Sequence, residues 1–168
     1  MTQAMTVWVA SDHAGFDLKE RILVSLRDQG RTILKKTSHQ VPYIVRDGGP
    51  STKQRVDYPS LAWPLTEHVA EGLIAGEPTR GILICGTGIG VSLVANRHPH
   101  IRAALAHNLF TAEMARRHND AQILCLGARV IDHDLALAMV DVFLNTSFDG
   151  GRHADRVNLL QSLHISKC

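Results

Sequence analysis

Residues 81–96 read Gly-Ile-Leu-Ile-Cys-Gly-Thr-Gly-Ile-Gly-Val-Ser-Leu-Val-Ala-Asn. A short β-branched apolar run, three alternating glycines, and then Val, Leu and Ala at helical spacing predict a buried strand, a tight loop and a helix. Glycine at 86, 88 and 90 removes Cβ and permits positive φ, so successive N–H groups can turn toward one point as an anion nest. The helix opening near Val91 adds its own unpaired N–H groups. Cys85 stands where the strand ends, on the rim where an open α/β sheet binds ligands. Beside such a nest the thiol is placed for chemistry, whereas a strand-end cysteine alone also reads as a small buried hydrophobe. Position 91 is Val rather than the glycine of a dinucleotide fingerprint, and no Gly-Lys-Ser/Thr follows, so dinucleotides and nucleoside triphosphates are poor ligands for this loop.

Outward from this loop the chain alternates strand and helix. Residues 5–10 form a first strand that stops at Ser11-Asp12-His13-Ala14-Gly15, and 16–29 form an amphipathic helix closed by Gly30. Asp12 and His13 therefore share the rim of Cys85 if the strands are parallel. Within 31–57 either Thr32-Ile33-Leu34 or Tyr43-Ile44-Val45 supplies the second strand, and the later run is preferred. A helix enters at Pro59 and carries Leu61, Leu65, Val69 and Leu73 on one stripe, with Pro64 expected to kink its early turns. Further strands are expected at 101–106 and 122–126, and further helices at 111–117, at 132–144 and after Gly150-Gly151. This β-α rhythm predicts an α/β fold, a five-stranded parallel sheet with helices on both faces. One domain over 1–168 is expected, with 31–57 as a variable, insertion-bearing segment and 160–168 as a tail.

Of the 168 residues, 45% are hydrophobic and 20% charged, and the formal charge is +2, which excludes a disordered chain and does not favour nucleic acid as a partner. No apolar run is long enough for a membrane span. Cys85, Cys125 and Cys168 follow no disulfide or metal-ligand spacing, so free thiols, a cytoplasmic location and no metal or other cofactor are expected. Cys125 falls inside a strand and reads as core, and Cys168 has no evident role. Arg152 and Arg156, four apart with His153 between them, form either a phosphate clamp or a solvated basic face. His118-Asn119-Asp120 reads as a helix-end cap, and His98 and His100 as surface residues.

Taken together, Ser-Asp-His-Ala-Gly-Phe (11–16), Asp-Tyr-Pro (57–59), the 81–90 run, Asn96, Arg-His-Asn-Asp (117–120) and Gly-Gly-Arg-His-x-x-Arg (150–156) make the chain resemble the type B ribose-5-phosphate isomerases, a family that includes galactose-6-phosphate isomerase subunits. The resemblance implies a Rossmann-like three-layer α/β/α domain whose C-terminal helix packs on a partner subunit. It also implies a homodimer or dimer of dimers with active sites at the interface. The implied reaction is a metal-free aldose-ketose isomerisation of ribose 5-phosphate through a cis-enediolate. Cys85 would be the base, where some members instead use a glutamate at the position of Val91. Gly86, Thr87, Gly88, Ile89 and Gly90 would hold the enediolate oxygens. Asp12 and His118 would open the sugar ring, and Asn119 and Tyr58 would position hydroxyls, with Ser92 and Asn96 also at the substrate. His13, Arg129, Arg152 and Arg156 would bind the phosphate. Roughly a dozen residues beyond the compact family pattern lie in 31–57, a loop insertion. Lying before Tyr58, they leave other phosphosugars open as substrates: allose or galactose 6-phosphate, or a tetrose phosphate. A catalytically silent phosphosugar-binding module is the remaining alternative.

Overall fold

The computed structural model describes residues 3–33 and 43–163. Residues 34–42, part of the insertion-bearing segment, lie outside the described residues, as do residues 164–168 of the expected tail with Cys168. Five strands, β1 (Met5–Ser11), β2 (Tyr43–Asp47), β3 (Thr79–Cys85), β4 (Ala103–Leu105) and β5 (Ile123–Gly127), form an all-parallel sheet in the order β2-β1-β3-β5-β4. The helices are α1 (Phe16–Ile33), α2 (Pro59–Ile74), α3 (Ile89–Ala95), α4 (Leu109–Arg117), α5 (His133–Asn145) and α6 (Arg152–Ser162). No helix among the described residues is long and apolar enough to cross a membrane.

Side-chain alternation along the strands sends two cores to opposite faces. Val7, Val9, Ile82, Ile84, Leu124 and Leu126 pack with α1, α4 and α5. Ala10, Leu83, Cys85, Ile123 and Cys125 pack with α2 and α3. Gly81 is the seam of the second core, since a Cβ there would stand 2.9 Å from the Leu65 side chain. Between β1 and β3 the direction of winding reverses, because the chain leaves β1 for one edge and returns from β2 to the other side. That reversal opens a crevice at the carboxyl ends of these two strands, the place where such sheets bind ligands. Asp12 and Cys85 flank it, tied by the Asp12 N–H donating to the Ile84 carbonyl at 3.0 Å.

Several boundaries differ from the sequence expectation. The second strand is the later run, as preferred, and Thr32 and Ile33 belong to α1. That helix passes through Gly30 without stopping, because a glycine inside a helix costs only about 1 kcal/mol and ends it only where a left-handed turn follows. α4 begins at Leu109, two residues early, since Asn108 and Thr111 form a reciprocal capping box. Helix α2 continues through Pro64. Lys19 is fully buried, and its ammonium donates to both Asp47 carboxylate oxygens at 2.9 and 3.0 Å and pairs with Glu20 at 2.7 Å. It thereby joins α1 to the end of β2.

Candidate active site

The cradle closes more tightly than three interchangeable glycines would. Only Gly88 of the three has positive φ, at 79°, and a Cβ there would meet the Leu126 carbonyl carbon at 2.9 Å. Gly90 is required for a different reason: the Tyr58 ring lies against it, so that a Cβ would come within 2.8 Å of Tyr58 Cζ. The guanidinium of Arg129 lies over Gly86, about a van der Waals contact from where a side chain would begin, and the Arg129 N–H donates to the Gly86 carbonyl at 3.0 Å. Gly127, read from the sequence only as the end of the fifth strand, is as constrained as any of them, because a Cβ on it would stand 2.6 Å from the Thr87 carbonyl oxygen. Its signal was a glycine ending a strand beside the cradle.

Cys85 is 5% exposed, and its Sγ accepts the Gly88 N–H at 3.1 Å. The Ile89 N–H is directed at Thr87 Oγ1 at 3.4 Å. Two of the expected anion donors are therefore turned inward, while the N–H groups of Gly86, Thr87 and Gly90 have no acceptor among the described residues. Cys125 is fully buried, and burial followed by the nearby Cys85 pushes its thiol far up, which keeps it a neutral core residue. Asp12 accepts the Ala14 and Gly15 N–H groups on one oxygen, at 2.9 and 3.1 Å. His13 Nδ1 lies 3.3 Å from the Val56 carbonyl, tying the first loop to the segment before Tyr58. Asp12, His13, Tyr58, Cys85, Thr87 and Arg129 thus gather at the carboxyl rim.

His118, Asn119, Arg152 and Arg156 collect at the opposite rim. Helix α4 starts at the carboxyl end of β4 and carries the chain back to where β5 begins, so His118 and Asn119 lie at the amino rim, roughly 15 Å from Cys85 along the strand direction. The Asp149 N–H donates to the Arg117 carbonyl at 3.0 Å and sets the start of α6, with Arg152 and Arg156, at the same end. There the His118 and His153 rings stack face to face, with centroids 4.1 Å apart and planes 4° from parallel. Arg117 Nε donates to both Asp149 oxygens at 3.1 Å and holds that carboxyl below its usual range. Burial, then His118, Arg152 and Arg156, hold the His153 imidazole below its ordinary value. His118, Asp149 and His153 offer ligand atoms within 4.8 Å of one another. Parallel stacked rings direct their lone pairs along parallel lines, however, and Arg117 already occupies the carboxylate, so the cluster suits a stack better than a chelate. Asp149, just before the Gly-Gly-Arg-His-x-x-Arg motif, was missed as a member of this group, and His153 was read only as a neighbour of the two arginines.

Asn96 and Ser92 are engaged elsewhere. The Asn96 amide donates to the Ser92 and Ala103 carbonyls at 3.0 and 2.8 Å and accepts the Ala103 N–H at 3.0 Å, clamping the end of α3 to β4. The Ser92 hydroxyl donates to the Ile89 carbonyl at 2.8 Å. The helix-end reading of residues 118–120 holds for Asp120, which takes a φ of 44° and binds Arg102 and Arg116 through its carboxylate.

Comparison with known proteins assigns the family. Residues 7–160 match the Ribose/Galactose Isomerase family. The chain is 36% identical over 152 residues to ribose-5-phosphate isomerase B of Escherichia coli, covering 90% of this chain and 91% of that protein. The ribose-5-phosphate isomerase B structure from Clostridium thermocellum shares 42% identity and a TM-score of 0.82, covering 95% of this chain and 97% of the other. The Mycoplasma genitalium enzyme, solved with bound ribulose-5-phosphate, shares 33% identity and a TM-score of 0.82, covering 95% and 96%. With nearly the whole chain aligned to enzymes of one kind and the fold superposable on theirs, the protein belongs to the Ribose/Galactose Isomerase family, with type B ribose-5-phosphate isomerases among its relatives.

Proposed function

We propose that the chain interconverts ribose 5-phosphate and ribulose 5-phosphate by proton transfer between C2 and C1, through a cis-enediolate and without a metal. The observation that carries this reading is a thiol at the sheet's switch point, held by one amide while three neighbouring N–H groups have no acceptor among the described residues. Cys85 takes the proton from C2 and returns it to C1, while the hydroxyl proton on O2 passes to O1, so that the aldehyde becomes a hydroxymethyl group and the carbinol a ketone. The negative charge that develops on the substrate oxygen between these steps meets the N–H groups of Gly86, Thr87 and Gly90, donors that act most strongly where charge appears in the transition state. Asp12 and His118 move the protons that open the furanose ring, and Tyr58 and Asn119 orient hydroxyls. His13, Arg129, Arg152 and Arg156 take the phosphate, whose binding energy orients the reacting end.

Because the two groups stand at opposite rims of one chain, the complete site forms between two copies, the carboxyl rim of one facing the amino rim of the other. The exposed side chains of Leu93, Leu109, Phe110, Leu159, Leu160 and Leu163 support such an assembly. Of α6 only His153 and Val157 are buried, consistent with a helix that packs on a partner. Because the insertion-bearing segment 31–57 precedes Tyr58, another phosphosugar (allose or galactose 6-phosphate, or a tetrose phosphate) is the second substrate reading.

A panel of aldose phosphates, assayed for ketose formation with and without EDTA beside Cys85→Ala, tests the reaction. Ribose 5-phosphate should turn over in EDTA, and Cys85→Ala should lower kcat by about 10²-fold or more with KM little changed. Activity abolished by EDTA would exclude the metal-free route, and near-normal turnover by Cys85→Ala would exclude the base. Solvent deuterium should enter the product at the transferred position; its absence would indicate a hydride shift.

A further inference from the structure

The amino rim also holds a group of cationic side chains that the isomerase reading does not use. Gly81, Ile123 and Ala103 are partners across β3, β5 and β4, so the residues preceding them, Arg80, Gln122 and Arg102, form a row along the edge. By strand alternation all three side chains project to the face covered by α4 and α5. From α4, Arg116 enters the same face, nearly buried over the Phe143 ring.

This cluster has three guanidiniums and one carboxylate. Asp120 is fully committed, accepting from Arg116 at 2.7 Å through one oxygen and from Arg102 at 2.8 Å through the other. Arg116 is further satisfied by the Ala121 carbonyl, and Arg102 by the Asn119 and Asp120 carbonyls. Arg80 has only its neighbour's Thr79 carbonyl, at 2.9 Å, and no carboxylate partner among the described residues. A guanidinium carries five N–H groups, so four have no protein acceptor among the described residues and are open to solvent or a ligand. Gln122 is 5% exposed, and its Oε1 accepts the Arg102 N–H at 2.8 Å, while its Nε2 has no acceptor among the described residues. Donors therefore outnumber acceptors in a partly desolvated place, and the charge balance is two positive charges in excess. The environment registers this surplus: burial first and Arg116 next lower Arg80 to about 10.

We propose that this edge is a second anion site, in which Arg80 and Gln122 Nε2, backed by Arg102 and Arg116, receive a phosphate-class dianion. Two surplus charges match a dianion better than a single carboxylate, and forked guanidinium donors suit its geometry. The residues are other than those of the Arg152–Arg156 clamp, and the proposal does not rest on that clamp's role in the reaction. Both inorganic phosphate and the phosphate of a monoester meet these requirements.

The test uses the full chain with Arg152→Ala and Arg156→Ala, titrated with inorganic phosphate in one arm and glycerol 3-phosphate in another. Binding is followed by calorimetry at constant ionic strength. Saturable binding in either arm, weakened by at least about tenfold on adding Arg80→Met, is the expected result. The stronger arm identifies the source of the phosphate. Gln122→Glu provides a second variant that does not depend on removing an arginine: its carboxylate should suppress binding and raise Tm. Absence of saturable binding in both arms, or binding equally strong with and without Arg80, would overturn the site.

Discussion

Cys85 and Cys125 lie on adjacent strands and face the same layer, yet their surroundings assign them different work. Cys125 lies within the apolar core with a thiol pushed up by burial, whereas Cys85 accepts an amide at the mouth of a crevice. Substitution should separate the two. Cys125→Ala is expected to cost about 1–2 kcal/mol in denaturant unfolding and leave kcat near normal, while Cys85→Ala should show the reverse pattern. Glycines offer a similar contrast. Gly76 and Gly88 have nearly equal positive φ, 76° and 79°, but a Cβ on Gly76 enters open space and one on Gly88 meets backbone. Gly76→Ala should cost only the left-handed strain, about 1 kcal/mol, and Gly88→Ala at least about 2–3 kcal/mol together with activity. Thermal unfolding of the pair measures the difference, and equal losses would mean that the loop backbone yields readily.

Among the elements, β2 depends on a contact that no periodicity announces. Lys19 reads in sequence as the polar face of an amphipathic helix, but its side chain is fully buried and its ammonium, 5.3 Å from the centroid of the Phe16 ring, pairs with Asp47. Lys19→Met should destabilise the fold by about 2–3 kcal/mol, less than a fully buried pair because Asp47 is partly exposed, and detach β2 first in hydrogen exchange. Helix α6 carries a pH dependence. The His153 imidazole titrates below its ordinary value in the native state, so the unfolded chain takes up the proton first as pH falls. Its contribution is intact above the ordinary value of 6.5 and is lost progressively below it, down to the native value. His153→Phe, which keeps the stack on His118 and cannot titrate, should flatten the change in unfolding free energy between about pH 7.5 and 5.5. An unchanged slope would assign the dependence elsewhere. Most elements were legible because apolar period and turn residues agree. The ends were less so: Gly30 looked like a stop because its neighbours in space, which decide whether a helix continues, are invisible in the sequence.

At the scale of the whole molecule, the motifs were legible and their arrangement was not. Asp12, Cys85 and Tyr58 converge as strand order requires, since each follows or ends an element at the carboxyl rim. His118 and Arg152 belong to the same resemblance, but the direction of α4 sends them to the other end. Linear order conveys nothing of this until the helices are counted rim by rim. Asn96 matched a motif and Ser92 was expected at the substrate, while their side chains hold α3 in place, a distinction that needs hydrogen-bond partners. If the exposed leucines of α6 cover a second copy, Leu160→Asp should shift sedimentation toward the monomer and remove activity together; an active monomer would exclude a shared site. The separation of the rims also has a genetic consequence. In the proposed dimer each chain would give one half of a reaction centre and receive the other, so a Cys85→Ala chain and a His118→Ala chain, each inactive alone, would be defective in different halves. Mixed by unfolding and refolding together, they should recover about a quarter of normal turnover, because half of the random pairs carry one intact centre out of two. Two null alleles of this gene would then complement one another.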